Sequence, residues 1–303
     1  MDYKQINKKL GRFAGWFGLI ICSLIIKLIP QSGLYAFAEG IAAFGYRVAV
    51  KQRRIALESL QIAFGQEKSK EEIEKIAKDC FRFMAKSAIE VMFLTDKPVL
   101  LKKQISLVNK QALDRALAKG KGVILVSAHF GNFPLLLARL SQEGYKVAGI
   151  MRPMRDLRVE KIFVQKREKY HVRTIYSTPR NTCVNQTIET LRHNQLVFIP
   201  IDQNFGTAGV FVDFFGQKAA TATGPVIFAQ RTKASLVPCF IVRQEDNTQR
   251  IIFEPEIDLE EGPTPQKTIE INIQKLTNVI ETYIRKFPAE WGWVHRRWKS
   301  KLS

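Results

Sequence analysis

Acidic residues are the scarce charge in this chain. Its 28 Asp and Glu face 47 Lys and Arg, leaving a net charge of +19. Such an excess suits an anionic partner: nucleic acid, an anionic membrane surface or a phosphorylated substrate. Cysteine is sparse as well. Cys22, Cys80, Cys183 and Cys239 are scattered with no CxxC pair, which argues against a disulfide framework or zinc site and fits a reducing compartment. No G-x-S-x-G elbow is present, and Ser127 precedes His129 by only two residues, so a hydrolase reading lacks its nucleophile turn. No recognisable DNA or RNA module occurs either. A nucleic-acid binder would explain the charge but would not need the apolar N-terminal run or the polar loops described below.

With 303 residues and 46% hydrophobic content, the chain can bury one large core, or a core plus a small satellite. Residues 13 to 29, FAGWFGLIICSLIIKLI, are its most apolar part. With Lys27 inside it, the run is marginal for ~30 Å of hydrocarbon, which takes about 20 residues. Lys4, Lys8, Lys9 and Arg12 precede it, yet no small-residue cleavage site follows, because Pro30-Gln31-Ser32-Gly33 reads as a turn. The run is therefore read as an uncleaved anchor, spanning or lying in the interface, rather than a buried amphipathic helix. From Leu34 to about Leu101 the pattern is helical, with a basic cluster (Arg47, Lys51, Arg53, Arg54) and a helix over Lys70 to Leu94 capped by Ser69 with Glu71 and Glu72 in its first turn.

The chain is organised around residues 121 to 137, KGVILVSAHFGNFPLLL. Val123 to Val126 predict a buried strand. Ser127 to Asn132 break the pattern, and a helix starts near Pro134 with Asn132 as its cap. His129 is thereby placed at the carboxyl end of a strand beside a helix N-terminus, where open α/β sheets put their chemistry. Two further apolar strands end in polar loops. Val147 to Met151 leads to Arg152-Pro153, whose guanidinium is either a clamp for a phosphate or carboxylate or a surface arginine in a turn. Leu196 to Ile201 leads to Asp202-Gln203-Asn204. If these strands are parallel, Asp202 and His129 share one edge, and Asp202 is either the acid that orients the imidazole or a turn-forming aspartate. Arg155, Arg158, Lys161, Lys166 and Arg167 read as a solvated or membrane-facing helix face. Ser235 to Val242 and Gln249 to Phe253 read as strands joined by a turn, and Gln266 to Lys286 as a long helix. The tail from Phe287 to Lys299 carries Trp291, Trp293 and Trp298 among bases, which can stack on nucleotides, sit in a membrane interface or close the core.

Several of these blocks resemble one family. SAHFGN followed by an aromatic, the Ser59-to-Phe64 segment (an "NL-x-x-AF"-like stretch), Arg152-Pro153, the order DQN … VFVDFFG … TATGP, and the ending P-A-E-W-G-W-V-H-R-R-W-K are similar to the lipid A late acyltransferases, a branch of the lysophospholipid acyltransferase superfamily. The resemblance covers about three quarters of the chain. It departs from the family at one point: the motif is His, four residues, then Glu or Asp, and here Pro134 takes the place of the acid.

The resemblance implies an α/β fold with a mixed, largely parallel central sheet flanked by helices, glycerolphosphate-acyltransferase-like, with an N-terminal membrane-associated helix. It implies residues 1–32 as anchor and 33–303 as acyltransferase domain (33–101 a helical lead-in, 107–254 the α/β region, 266–303 the C-terminal helix and Trp-rich tail). The implied activity is transfer of a fatty acyl chain from acyl carrier protein, or acyl-CoA, to a phosphorylated glycolipid such as a lipid A precursor, on the cytoplasmic face of a bacterial inner membrane, with no metal or dissociable organic cofactor. His129 is the expected general base and Asp202 its acid. Gly131, Asn132, Arg152, Gln203, Asn204, Phe215, Gly216 and Gly224 are expected to bind substrate, with backbone N–H groups near Gly131 and Asn132 holding the oxyanion. The missing acid keeps two alternatives in view: a lysophospholipid or aminolipid acyltransferase, and a lipid-binding relative without catalysis.

Overall fold

The computed structural model describes residues 3–301. The side chains of Lys4 and Lys8 lie outside the described residues. In chain order the elements are α1 (Tyr3–Leu28), α2 (Gln31–Val48), α3 (Val50–Phe64), α4 (Lys70–Leu94), α5 (Pro98–Gln104), β1 (Ile105–Val108), α6 (Lys110–Ala118), β2 (Val123–Ser127), α7 (Phe133–Gln142), β3 (Val147–Met151), α8 (Leu157–Lys169), β4 (Arg173–Tyr176), α9 (Arg180–Arg192), β5 (Leu196–Pro200), β6 (Val210–Phe214), β7 (Gln217–Thr221), α10 (Gly224–Thr232), β8 (Ser235–Arg243), β9 (Gln249–Phe253) and α11 (Pro265–Lys286).

A seven-stranded sheet runs in the order β1-β9-β8-β2-β5-β3-β4. β8, β2, β5, β3 and β4 are mutually parallel, whereas β9 runs antiparallel to β8 and pairs in parallel with β1. The sheet is thus mixed and largely parallel, as the family resemblance implies. β2 is buried at every position, because helices cover both faces and a continuous apolar run suits a strand without a wet side. Val126 and Ile124 contribute to one core layer, Val123 and Leu125 to the other.

α4 begins where predicted, with a complete capping box between Ser69 and Glu72. Two local expectations are corrected. Only Ile29 and Pro30 interrupt the helical path: Gln31, Ser32 and Gly33 already form the first turn of α2, since Pro sits comfortably just ahead of a helix start. Lys166 and Arg167 are not a solvated face either. Lys166 donates to the Met92 carbonyl at 3.2 Å and Thr95 Oγ1 at 2.8 Å, and Arg167 pairs with Glu160 at 2.8 Å.

Lys9–Leu28 is a helix long and apolar enough to cross a membrane. Ile26 is buried, but Leu10, Phe13, Phe17, Ile21, Leu24 and Leu28 are exposed, recurring every three or four residues and so lying along one stripe. The Arg158 guanidinium sits 5.4 and 4.8 Å from the Phe13 and Trp16 ring centroids, bringing α1 beside the start of α8, where Leu157 is also exposed, as is Met154 in the loop before it.

Candidate active site

Because β2, β5 and β3 are parallel neighbours, the residues just beyond them gather at one edge of the sheet. Ser127 pairs in register with Pro200, so His129 and Asp202, each two residues further on, arrive level with one another. The His129 Nδ1 lies 2.8 Å from Asp202 Oδ1. A carboxylate can only accept, so Nδ1 carries the hydrogen and the neutral ring keeps its lone pair on Nε2.

The pair is unevenly exposed: the Asp202 side chain is 0% accessible and that of His129 33%. Burial alone would disfavour the imidazolium, but the Asp202 charge and hydrogen bond outweigh it and raise the His129 pKa above its ordinary value. Burial likewise opposes the Asp202 charge. The facing His129, with help from His295 and the Trp291 N–H, overcomes that and holds the carboxyl well below the usual carboxylate range. Asp202 is thus an ionised carboxylate sealed from water, while the His129 side chain is partly exposed and Asp202 leaves its Nε2 uncommitted.

The C-terminal tail completes this arrangement. Phe130 and Trp291 form an antiparallel bridge, in which Gly131 N–H donates to the Glu290 carbonyl (2.9 Å) and Gly292 N–H to the His129 carbonyl (3.2 Å). Trp291 Nε1–H donates to Asp202 Oδ2 at 2.7 Å. Burial lowers the His295 pKa, so the ring is neutral at neutral pH; its Nδ1–H donates to the Gly292 carbonyl at 2.5 Å. Arg297, 1% exposed, donates to the carbonyls of Gln203 and Ala220 and to Thr221 Oγ1, tying the loop after β5 to the β6–β7 hairpin. Of the three roles open to the tryptophans, Trp291 and Trp293 take the last: both are buried in the core.

Asn132 precedes α7 but makes no side-chain cap. Its Nδ2 donates instead to the Ser87 carbonyl (3.1 Å) and Glu90 Oε2 (3.0 Å). Glu90, 3% exposed, also accepts from Tyr35 (2.9 Å), Gln249 (2.9 Å) and both terminal nitrogens of Arg243. A buried carboxylate is thus neutralised by a guanidinium and saturated with donors, the condition under which such a charge is tolerated. Beside it, Glu290 accepts from the Arg243 backbone N–H at 3.1 Å, and burial pushes its carboxyl up to about 8 despite that bond.

Gly131 has φ +60°, and a Cβ there would fall 1.9 Å from the Ile241 carbonyl oxygen. Only glycine fits this tight passage between strand and helix. The Gly131 N–H is committed to the Glu290 carbonyl, so of the expected oxyanion donors Gly131 is set aside as one that shapes the turn; the Asn132 side chain holds the buried cluster. The first N–H of α7, on Phe133, is of the kind a helix start leaves without an intrahelical partner.

The remaining predicted residues separate. Arg152 follows β3, two strands from β2, and is exposed with no side-chain partner among the described residues. Gln203 is exposed and contributes its carbonyl to Arg297. Asn204 Nδ2 donates to Ser300 Oγ at 3.1 Å. Phe215 and Gly216 form the tip of the β6–β7 hairpin, with φ +53° and +69°, as a primed turn requires. Phe215 accepts this costly conformation because its ring is buried against Phe64 and Trp293 and its N–H donates to Glu281 at 2.7 Å, which places it in the core. Gly224 opens α10. A cleft of about 450 Å³, lined by Gln230, Lys233, Glu256 and Asp258 among others, lies where β8 begins, at the opposite end of the parallel strands from His129. The sequence reading missed Glu90, Arg243, Gln249 and Glu290. Their one signal is that charged or polar residues stand in or beside apolar runs.

Comparison with known proteins gives this geometry its class. The sequence model of the bacterial lipid A biosynthesis acyltransferases matches residues 3–300, and the chain belongs to that family; it is an acyltransferase. It is 25% identical over 295 residues to the lipid A biosynthesis palmitoleoyltransferase of Escherichia coli (strain K12), covering 94% of this chain and 91% of that protein. Identity to the lipid A biosynthesis lauroyltransferase of the same organism is 23%, with the same two coverages. The phosphatidylinositol mannoside acyltransferase of Mycolicibacterium smegmatis is 24% identical over 67% of this chain and 65% of its own length.

Proposed function

We propose that the chain transfers a fatty acyl group from acyl carrier protein, with coenzyme A as the other possible carrier, to a hydroxyl of a lipid A precursor or related phosphorylated glycolipid. The observation that carries this reading is the 2.8 Å contact between His129 Nδ1 and the buried Asp202. It supplies from a neighbouring strand the acid that Pro134 lacks, and so supports catalysis over lipid binding alone.

His129 Nε2 takes the proton of the acceptor hydroxyl as its oxygen attacks the thioester carbonyl carbon. Asp202 fixes the tautomer and stabilises the imidazolium as it forms. The tetrahedral oxyanion is met by the N–H at the start of α7, where the helix dipole also favours negative charge. Collapse breaks the C–S bond, and the departing thiolate recovers the proton from Nε2–H, giving ester and thiol. The exposed Arg152 guanidinium holds an acceptor phosphate.

Residues 1–32 act as the anchor and 33–303 as the acyltransferase domain, with the exposed stripe of α1 in lipid at the cytoplasmic face of the inner membrane. The test is acyl transfer by the purified full chain and its His129→Ala and Arg152→Ala variants. Labelled acyl carrier protein and coenzyme A thioesters are offered with lipid A precursor and lysophospholipid acceptors. Transfer to the lipid A precursor that vanishes in His129→Ala, with a raised KM for that acceptor in Arg152→Ala, is expected. Transfer retained by His129→Ala, or none from any pair by the folded protein, overturns the reading.

A further inference from the structure

The residue that joins the two halves of the site is Trp291. Its backbone lies in the bridge that holds the His129 turn, while its indole N–H reaches Asp202 Oδ2 at 2.7 Å. The ring is 1% exposed and fixed by its surroundings: Phe214, Trp293 and His295 meet it with centroids at 5.6, 4.6 and 4.9 Å, and Cys80 Sγ donates to its carbonyl at 3.3 Å. A carboxylate free to rotate about its terminal torsion offers either oxygen, or neither squarely, to a neighbouring ring. A donor locked in place on one oxygen leaves the other aimed at its partner.

We propose that Trp291 is a positioning residue for acyl transfer: its indole N–H orients the Asp202 carboxylate so that Oδ1 faces His129 Nδ1. The proposal rests on the reading of His129 and Asp202 as base and acid, and it adds the device that holds an acid supplied by another strand in place of one at position 134. Asp202 lies on the loop after β5, 73 residues from His129 in sequence. It therefore needs a second constraint, and the tail supplies it. The titratable and charged groups facing the pair are His295, from the tail, and Arg297, whose charge Asp202 also feels. Neither hydrogen-bonds the Asp202 carboxylate oxygens.

Trp291→Phe keeps an aromatic ring and the backbone bridge and removes the N–H. Loss of one hydrogen bond to a charged group predicts a fall in kcat on the order of ten- to a hundredfold, with KM for donor and acceptor within about twofold of the parent chain. With the carboxylate free to turn, the imidazolium loses its fixed partner, so the acid limb of the pH–rate profile moves to lower pH. A variant that melts like the parent but keeps its kcat, or whose acid limb stays in place or moves upward, overturns the proposal. Should Trp291→Phe fail to fold, the indole N–H resonance of Trp291 in the 15N-labelled parent chain and in Asp202→Asn supplies the second measurement. A strongly downfield, slowly exchanging proton that moves upfield in Asp202→Asn is expected, and one indifferent to that change refutes the proposal. Unaltered activity in Asp202→Asn would instead remove the underlying base-and-acid reading, so the two failures are distinct.

Discussion

Replacing Asp202 by Asn preserves the size of the side chain and removes its charge from the one position where His129 Nδ1 meets it at 2.8 Å. Asp202 is fully buried, so solvent does little to screen the pair. With charge centres about 4 Å apart and an effective dielectric near 20, the attraction for the imidazolium is about 4 kcal/mol. That stabilisation exists only once the base has taken its proton, so it belongs to the transition state, and its loss corresponds to about a thousandfold in kcat. The pH profile gives an independent check. In the proposed mechanism the base works neutral, so activity is expected to fall as the pH drops through the His129 pKa, which Asp202 holds above its ordinary value. In Asp202→Asn only burial remains, which disfavours the imidazolium, and the acid limb moves to lower pH. Steady-state transfer from a labelled acyl thioester to the lipid A precursor, measured between pH 5 and 9, reads both effects. Parent-level kcat, or an unmoved limb in a folded variant, would refute the argument that Asp202 acts through His129.

Two further outcomes follow from the buried cluster behind the site. Glu90→Ala strands the Arg243 guanidinium without its carboxylate, takes one of two acceptors from Asn132 and removes the acceptor of Gln249 Nε2; a loss of about 3–5 kcal/mol in unfolding free energy is expected from denaturant titration, and a loss under about 1 kcal/mol would contradict the cluster as described. Glu290, with its carboxyl pushed up to about 8, binds a proton in the folded state between its unfolded value of about 4.3 and that point. Its contribution to stability therefore falls as pH rises across that window, and Glu290→Gln should gain melting temperature relative to the parent on going from pH 5 to pH 8. A difference independent of pH would count against the buried carboxyl.

How much of this was readable from residues alone depended on range. β2, β3, β5 and β8 are apolar runs buried in a parallel sheet, and a run of that kind declares itself without any knowledge of neighbours. β1 and β4 escaped: ISLV and RTIY are short edge strands with polar or charged residues among their four positions, indistinguishable from loop. The His129–Asp202 contact was legible only as a conditional, because parallel register is a property of two segments 73 residues apart and no local pattern encodes it. Asn132 reads locally as a cap, and it does stand at the cap position. Its amide is nevertheless drawn away by Glu90, 42 residues upstream on α4, a competition only the tertiary packing decides. The tryptophans admitted three environments because an amphipathic ring suits all of them; the site beneath selects one.

The bridge between Phe130 and Trp291 also orders events in time. A ribosome makes α1 first and the tail some 260 residues later. The apolar stripe of α1 is thus available to lipid while the His129 turn still lacks its backbone partner and Asp202 its second donor. On the proposed anchoring and chemistry, attachment would precede completion of the site, and a chain stopped short of Trp291 would lack the indole donor to Asp202 and the backbone bridge to Phe130.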